Sequence, residues 1–249
     1  MRNLIATLFV AASFVLAPLS QAGDKIRLAT EGAYAPFNMV DSDGNLIGFD
    51  VDIAIALCAQ MQADCEIVAQ DWDGIIPGLL ARKYDAIIAS MSVTPERLRV
   101  VDFTNKYYSN VLAFVGPKGK PLDTSREGLT GLSVGAQRST IAGQTLEDGY
   151  SDVVSVKLYD TQDNAYLDLA AGRLDAILSD KFPAYDWLQS KDGSAFEFKG
   201  DDLDIDDKIG IAVRKGDKLK ERLNNALDAI VADGTYKKIN DKYFPFDIY

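Results

Sequence analysis

Residues 90–97 read Ser-Met-Ser-Val-Thr-Pro-Glu-Arg, with hydroxyls at Ser90, Ser92 and Thr94 and a guanidinium at Arg97. Arginine presents a planar fork that grips a carboxylate through two parallel hydrogen bonds, a geometry lysine cannot supply. A lone arginine here would be a surface ion pair to Glu96 or Asp102; the hydroxyls ahead of it direct the reading to a carboxylate-binding site. The complementary charge is offered by Asp180, with Ser90 as a further acceptor for an ammonium group. Asp180 can also cap a helix read at Lys181–Gln189, and both roles can hold. A zwitterion stripped of water needs a counter-charge at each end, and Arg97 with Asp180 would supply both.

The positions of Ser90 and Asp180 are linked by a repeat. Tyr84-Asp85-Ala86-Ile87-Ile88-Ala89-Ser90 is echoed ninety residues later by Leu174-Asp175-Ala176-Ile177-Leu178-Ser179-Asp180. Each copy follows an amphipathic stretch (75–81, then 165–171) and a basic residue, Lys83 or Arg173. Each reads as helix, tight turn and short buried strand. Helix–turn–strand units recur in any α/β chain, so the echo needs independent support. Because ligands of open α/β sheets sit beyond the carboxyl ends of the strands, the echo predicts two lobes with Ser90 and Asp180 facing each other across a cleft.

Further candidates fall at strand ends. Glu31, Tyr34 and Phe37 follow a first strand at 26–30, and Trp72 opens the helix after the next strand. Ser139 and Thr140 open a helix in the second half, whose free N–H groups, with those near Ser92, can complete a carboxylate's hydrogen bonds. Tyr34 and Trp72 offer faces for an aliphatic chain and for a cation, although each alone is as readily a core residue, and Phe37 reads as core. A buried carboxylate at Glu31 would call for a cationic partner; the alternative is a carboxylate that reaches solvent at the rim.

Strands are read at 26–30, 66–69, 111–115, 131–136, 153–158 and 209–213, besides the two echoes. A hairpin about Asp43-Gly44 joins 39–40 to 46–47. Phe49–Met61 carries apolar residues at 49, 53, 57 and 61 and is a clear helix. Further helices are read at 71–81 (broken near Pro77), 139–146, 161–171 (capped by Thr161), Lys181–Gln189 and 217–232. Thr94 and Pro95 give a helix start. The acidic run 201–207 reads as a return linker, and Gly234 with an aromatic tail ends the chain. This alternation predicts α/β lobes with mainly parallel sheets.

Composition excludes several chemistries. The chain has no histidine, which removes histidine-based nucleophile systems and histidine-ligated zinc. It has no Gly-x-Gly-x-x-Gly and no phosphate loop, so nucleotide binding has no motif, and no cofactor or metal is expected. A net charge of -11 repels nucleic acid and anionic lipid. Residues 1–22 read as a signal peptide: Arg2, an apolar run at 4–17, and a small-x-small site at Ser20-Gln21-Ala22. No cysteine follows that site, so no lipid anchor is expected. About 225 residues remain, enough for two lobes. Cys58 and Cys65, seven apart in an exported chain, favour a disulfide over a redox pair.

The arrangement resembles the periplasmic substrate-binding proteins of bacterial amino-acid uptake systems, the solute-binding proteins of family 3, and within them the lysine/arginine/ornithine- and histidine-binding group. The resemblance runs from Ile26 to the C-terminus. It is carried by Tyr34-Ala35-Pro36-Phe37, Ile47-Gly48-Phe49-Asp50, Asp71-Trp72-Asp73-Gly74-Ile75-Ile76-Pro77, Ser90-Met91-Ser92-Val93-Thr94 with Arg97, Ala171-Gly172-Arg173-Leu174-Asp175-Ala176 and Asp233-Gly234-Thr235-Tyr236. Cys58 and Cys65 match the group's helix–strand disulfide.

The resemblance implies a two-lobed α/β periplasmic-binding-protein fold with a hinge and a ligand cleft between the lobes. Lobe I would be residues 24–109 and 208–249, lobe II residues 113–204. It implies a monomeric periplasmic protein that delivers an amino acid to a membrane ABC permease. The implied ligand-binding set is Glu31, Tyr34, Trp72, Ala89, Ser90, Ser92, Arg97, Ser139, Thr140, Ile141 and Asp180. Glu31 aligns with the acidic position that meets the distal cation of a basic amino acid, which points to arginine, lysine or ornithine. Two departures stand out. Ala89 replaces a common serine, and the second-lobe loop reads Gln137-Arg138-Ser139-Thr140-Ile141 without the usual glycine. Arg138 would either point to solvent or meet a second carboxylate, as in an opine. An alternative from another class is a dehydratase-like enzyme on the same scaffold, with Glu31 or Asp180 as general acid or base.

Overall fold

The structure, a computed structural model, describes residues 25–249; the signal segment expected at 1–22 lies outside the described residues. The chain opens with β1 (Lys25–Thr30), the short strands β2 (Ala33–Tyr34), β3 (Asn38–Val40) and β4 (Leu46–Ile47), helix α1 (Phe49–Met61), β5 (Asp64–Ala69), α2 (Trp72–Leu80) and β6 (Ala86–Ile87). A 3-10 turn (Arg97–Arg99) leads into β7 (Val101–Pro117). Then follow α3 (Arg126–Leu129), β8 (Ser133–Gln137), α4 (Ile141–Tyr150), β9 (Ser155–Tyr159), α5 (Gln162–Ala170), β10 (Ala176–Asp180) and α6 (Lys181–Gln189). The chain closes with β11 (Phe196–Arg214), α7 (Leu219–Ala232) and α8 (Thr235–Tyr243).

The main sheet has the order β5-β1-β6-β11-β7-β10-β8-β9. On one flank β1 pairs parallel with β5 and β6, and on the other β8 pairs parallel with β9 and β10. Parallel neighbours need crossover helices, and α1, α2, α4 and α5 serve as them. The centre is different: β7 and β11 are long antiparallel strands that pass from one flank to the other. Separate cores form on each side. Tyr107, Tyr108, Ile209 and Ile211 pack with α1 and α7, whereas Leu112 and Phe114 pack with β8, β10 and α4. The molecule is therefore two α/β lobes sharing two strands.

Several readings change in the structure. The acidic run 201–207 is not a free linker but part of β11; its ladder to β7 is nonetheless broken between Lys199 and Leu203 and again between Leu203 and Asp207. β7 starts at Val101 rather than 111: its first half buries Val101, Phe103, Tyr107 and Tyr108 and pairs with β11 in lobe I. The helix begun by Thr94 is only a single 3-10 turn, although the Thr94 Oγ1 does accept from the Arg97 N–H at 3.2 Å. Helix α2 runs through Pro77, which forgoes one hydrogen bond without ending the helix. Helix α8 was missed because Gly234, in left-handed conformation, reads as a stop; it instead sets a new helix that buries Tyr236.

Two local features hold the first lobe in the shape the cleft needs. Cys58 on α1 is bonded to Cys65 on β5. Gly48, at φ 129°, lets the chain press against residue 37: a Cβ there would lie 2.3 Å from the Phe37 carbonyl oxygen. That same carbonyl accepts from the Asp50 N–H at 2.8 Å, so the start of α1 is tied to the loop bearing Tyr34. Gly48→Ala is expected to cost about 3 kcal/mol, from backbone strain plus a clash with main chain; urea unfolding that left the midpoint unchanged would contradict this packing.

Candidate functional site

The echoed strands deliver as expected. β6 pairs with β11 and β1, and β10 occupies the equivalent place between β7 and β8. Ser90 and Asp180, just past their apolar runs, line one cavity between the lobes. Its walls are Glu31, Tyr34, Trp72, Ala89, Ser90, Ser92, Arg97, Gln137, Thr140, Ile141 and Asp180. Ten of these eleven come from the set expected above; Gln137 is new and Ser139 is absent.

Arg97 sits on the 3-10 turn with its guanidinium 5.3 Å over the Trp72 ring. Its Nη1 donates to the Ser92 carbonyl and its Nη2 to the Ser139 carbonyl, each at 2.8 Å. Two carbonyls therefore fix the plane of the fork, one from each lobe. Burial pushes its pKa down to about 10, opposed by the charges of Asp207 and Asp180. It stays cationic at neutral pH.

Ser90 adopts left-handed φ of 51°, uncommon for a residue with a Cβ. Asp50 explains how it is held. The buried Asp50 carboxylate accepts from Ser90 Oγ at 3.0 Å, Asn38 Nδ2 at 2.8 Å and Tyr107 Oη at 2.6 Å, while Tyr107 Oη in turn accepts from the Ser90 N–H. The Ser90 hydroxyl proton is thus committed to Asp50. Asp50 was legible only as part of a motif; its signal was a charged residue next to the apolar stripe at the start of α1.

On the lobe II side, Thr140 caps α4: its Oγ1 accepts from the Gly143 N–H at 3.1 Å and donates to the Gln137 carbonyl at 2.8 Å. The helix thus starts at Ile141, two residues later than read, and its N-terminus borders the cavity. Ser139 lies at the rim, where its hydroxyl donates to Asp73 Oδ1 at 3.3 Å, so its carbonyl rather than its hydroxyl meets Arg97. Arg138 turns outward and pairs with Asp160 at 2.9 Å and Asp73 at 3.9 Å. It does not line the cavity, so the suggestion that it meets a second ligand carboxylate has no geometric support.

The acidic groups are each answered across the cleft. Tyr34 Oη donates to Asp180 Oδ2 at 2.6 Å, and Gln137 Nε2 donates to Glu31 Oε1 at 2.7 Å. Asp180 stands at the N-cap position of α6, but its side chain makes no capping bond. Burial, then the charge of Asp207, raises the Asp180 carboxyl to about 7. Glu31 is likewise raised to about 7, by burial and by Asp163, Asp71 and Asp73 against the lowering effect of Gln137. Gln137 escaped the sequence reading. The available signal was that it ends an apolar strand with a polar residue, just as Ser90 and Asp180 do.

A cavity between two hinged α/β lobes, with a fixed guanidinium and separate buried carboxylates, defines a binding protein for a small charged solute. Residues 26–246 match the bacterial extracellular solute-binding proteins, family 3, and the chain belongs to that family. It is 42% identical over 247 residues to the L-arginine-binding protein of Pseudomonas aeruginosa, covering 96% of this chain and 95% of that protein. It is 37% identical to the lysine/arginine/ornithine-binding periplasmic protein of Escherichia coli, covering 99% and 97%. Among solved structures, an ancestral arginine-binding protein bound to arginine superposes with a TM-score of 0.84 at 35% identity, covering 90% of this chain and all of that one.

The raised carboxyls have a consequence for stability. Glu31 and Asp180 near 7 and Asp50 near 6 bind protons more tightly folded than unfolded. Their contribution is fully present below their ordinary values near 4, and is lost as pH rises through 6 to 7. The ligand-free protein is expected to be more stable at pH 5 than at pH 7.5 by an amount on the order of a few kcal/mol, and so to melt at a higher temperature at pH 5. Scanning calorimetry showing the opposite slope between these values would refute the assignment.

Proposed function

We propose that this chain captures a basic amino acid (arginine, lysine or ornithine) in the periplasm and presents it to a membrane ABC permease. The signal peptide is removed near Ala22 and the mature protein acts as a monomer. The ligand's α-carboxylate meets Arg97 and the N–H groups that open α4. Its α-ammonium meets Asp180, taking the place of the Tyr34 hydroxyl. Its side chain passes between Tyr34 and Trp72, with Ala89, Ser90, Ser92 and Ile141 closing the walls. The distal cation reaches Glu31.

The observation that carries this reading is Glu31. It is a carboxylate only 8% exposed, its hydrogen-bond partner is the neutral Gln137 amide, and the other charges acting on it are acidic. A buried anion in such surroundings is stabilised by a cation. The relatives named above as arginine- or lysine/arginine/ornithine-binding support the same class. An opine is disfavoured because Arg138 is engaged at the rim with Asp160. An enzymatic role is disfavoured because those relatives are named as binding proteins and the Arg97–Asp180 pairing suits holding a zwitterion.

Lobe I comprises residues 24–109 and 208–249, and lobe II residues 113–204. Crossover segments at 109–112 and 204–207 bend on closure, where the β7–β11 ladder is interrupted. The ligand shifts the population toward the closed form by the contacts it makes to both lobes.

Calorimetry with arginine, lysine, ornithine, histidine, glutamine, glutamate and octopine tests the proposal. A cationic amino acid should bind best. Glu31→Gln should weaken cationic ligands by about 2 kcal/mol or more, roughly thirtyfold, and leave glutamine little changed. Arg97→Ala should abolish binding of every ligand. Preference for glutamate or for a neutral side chain would overturn the role given to Glu31.

A further inference from the structure

The aromatic tail read in the sequence has no part in the binding scheme, yet its rings cross the lobe boundary. We propose that residues 244–249 form a non-covalent connection between the lobes beside β7 and β11, and that this pivot holds α6 so that Asp180, at its start, stays within reach of the ligand's α-ammonium. Phe246 and Tyr185 are then positioning residues: neither lines the cavity, and both act through Asp180. The inference rests on the lobes and the amino-acid ligand proposed above and deepens that reading.

Main-chain bonds fix the segment to lobe I. Asn240 on α8 donates its Nδ2 to the Phe246 carbonyl at 2.8 Å, and its Oδ1 accepts from the Ile248 N–H at 3.2 Å. The Ile248 carbonyl accepts from the Ser109 N–H at 2.9 Å. Ser109 opens the crossover 109–112, so the segment is tied to the start of the stretch that bends. The rings reach the other way. α6 leaves β10 directly after Asp180 and offers Phe182 and Tyr185, which share one face of the helix. The Phe182 ring lies 5.9 Å from Phe244 and 5.6 Å from Phe246, and the Tyr185 ring 5.5 Å from Phe246. These are the separations of rings in contact. Phe182 also meets Tyr108 of β7 at 6.3 Å and packs against the core that holds Phe37, Phe49 and Phe244. A lobe II side chain two positions past Asp180 thus packs on the lobe I core. The same cluster reaches the cleft from lobe I: Phe37 lies 5.3 Å from Phe244 and 6.3 Å from Tyr34, whose Oη donates to Asp180.

Nearness to the hinge decides what this contact does. Asp180 stands opposite Leu112 in the β10–β7 pairing, so α6 starts beside the crossover. Points near a rotation axis move little when two bodies turn about it. A contact there survives closure, whereas one at the cleft mouth would have to break. The covalent crossings bend where the β7–β11 ladder is broken, and interlocked rings resist the sideways slip that such a break permits. The Asp180 side chain makes no capping bond to α6, so its reach depends on where its strand and helix are held. Tyr249, the other ring of the segment, stays on lobe I, 5.0 Å from Tyr236 and with Lys106 Nζ 5.3 Å over it. It serves as the control.

Pulsed electron spin resonance on the ligand-free full mature chain tests the pivot. Spin labels at Gln189→Cys on α6 and Lys238→Cys on α8 occupy exposed sites, and the two natural cysteines are bonded to each other. The parent should give one narrow distance. Phe246→Ala and Tyr185→Ala each remove one side of the same contact; each should widen the distribution, and the double variant should widen it no further. Tyr249→Ala should leave it narrow. An unchanged width in Phe246→Ala and Tyr185→Ala, or an equal widening in Tyr249→Ala, would overturn the proposal. Phe246 is 37% exposed, so its truncation spares the core; a purely structural role would lower the melting temperature and leave the distance in place. Calorimetry should then show Phe246→Ala binding arginine about fivefold more weakly, and Tyr249→Ala binding it as the wild type does. Equal affinity in all three would overturn the part given to Asp180. Absence of arginine binding to the wild type would sink the ligand reading, while the spin-label distances still decide the pivot.

Discussion

A guanidinium partly withdrawn from water organises this cleft. Arg97 keeps its charge because two main-chain carbonyls, one from each lobe, accept its N–H groups while buried carboxylates supply the countercharge. The Trp72 ring covers its face. Desolvating an ion without such partners costs several kcal/mol, so the surrounding backbone has to be held in one arrangement. The short 3-10 turn, the Thr94 cap and the outward aim of the Ser139 hydroxyl follow from keeping those carbonyls on target.

The same economy governs the layers beneath. Asp50, itself raised to about 6 by burial, gathers Ser90, Asn38 and Tyr107 around one carboxylate and so fixes the loop after β6. Gly48 permits the close approach that aims α1 at this point. An acid placed under a helix start thus supports, at one remove, the groups that would touch a ligand. Across the cleft, Thr140 does the comparable work by capping α4.

The lobes meet in contacts that a ligand would have to replace. Tyr34 donates to Asp180 and Gln137 to Glu31. Each is a neutral donor set on a carboxylate whose ionisation burial disfavours. A cation satisfies these carboxylates better than a phenol or an amide does, which gives closure around a ligand a favourable free energy beyond that of the empty closed form. The ladder of the long strands β7 and β11 is interrupted where they cross between the lobes.

Much of this was legible in the residues. The echoed phrase brought Ser90 and Asp180 to one cavity, the spacing from Ser90 to Arg97 set a guanidinium in its wall, and alternating periodicities gave the α/β class. Local pattern suffices where a residue's role follows from its own strand or helix end. Gln137 and Asp50 were not legible as functional groups, because the cavity residues they serve, Glu31 and Ser90, lie 106 and 40 positions away in the chain. The acidic run was misread for the same reason: charge suggested a linker, while pairing with β7 made it strand. Sequence determined which charges are present and which segments end beside a cleft. Only the tertiary structure decided which of those charges lose water and which neighbour answers each, because desolvation and hydrogen-bond geometry depend on what folding brings within about 3 Å.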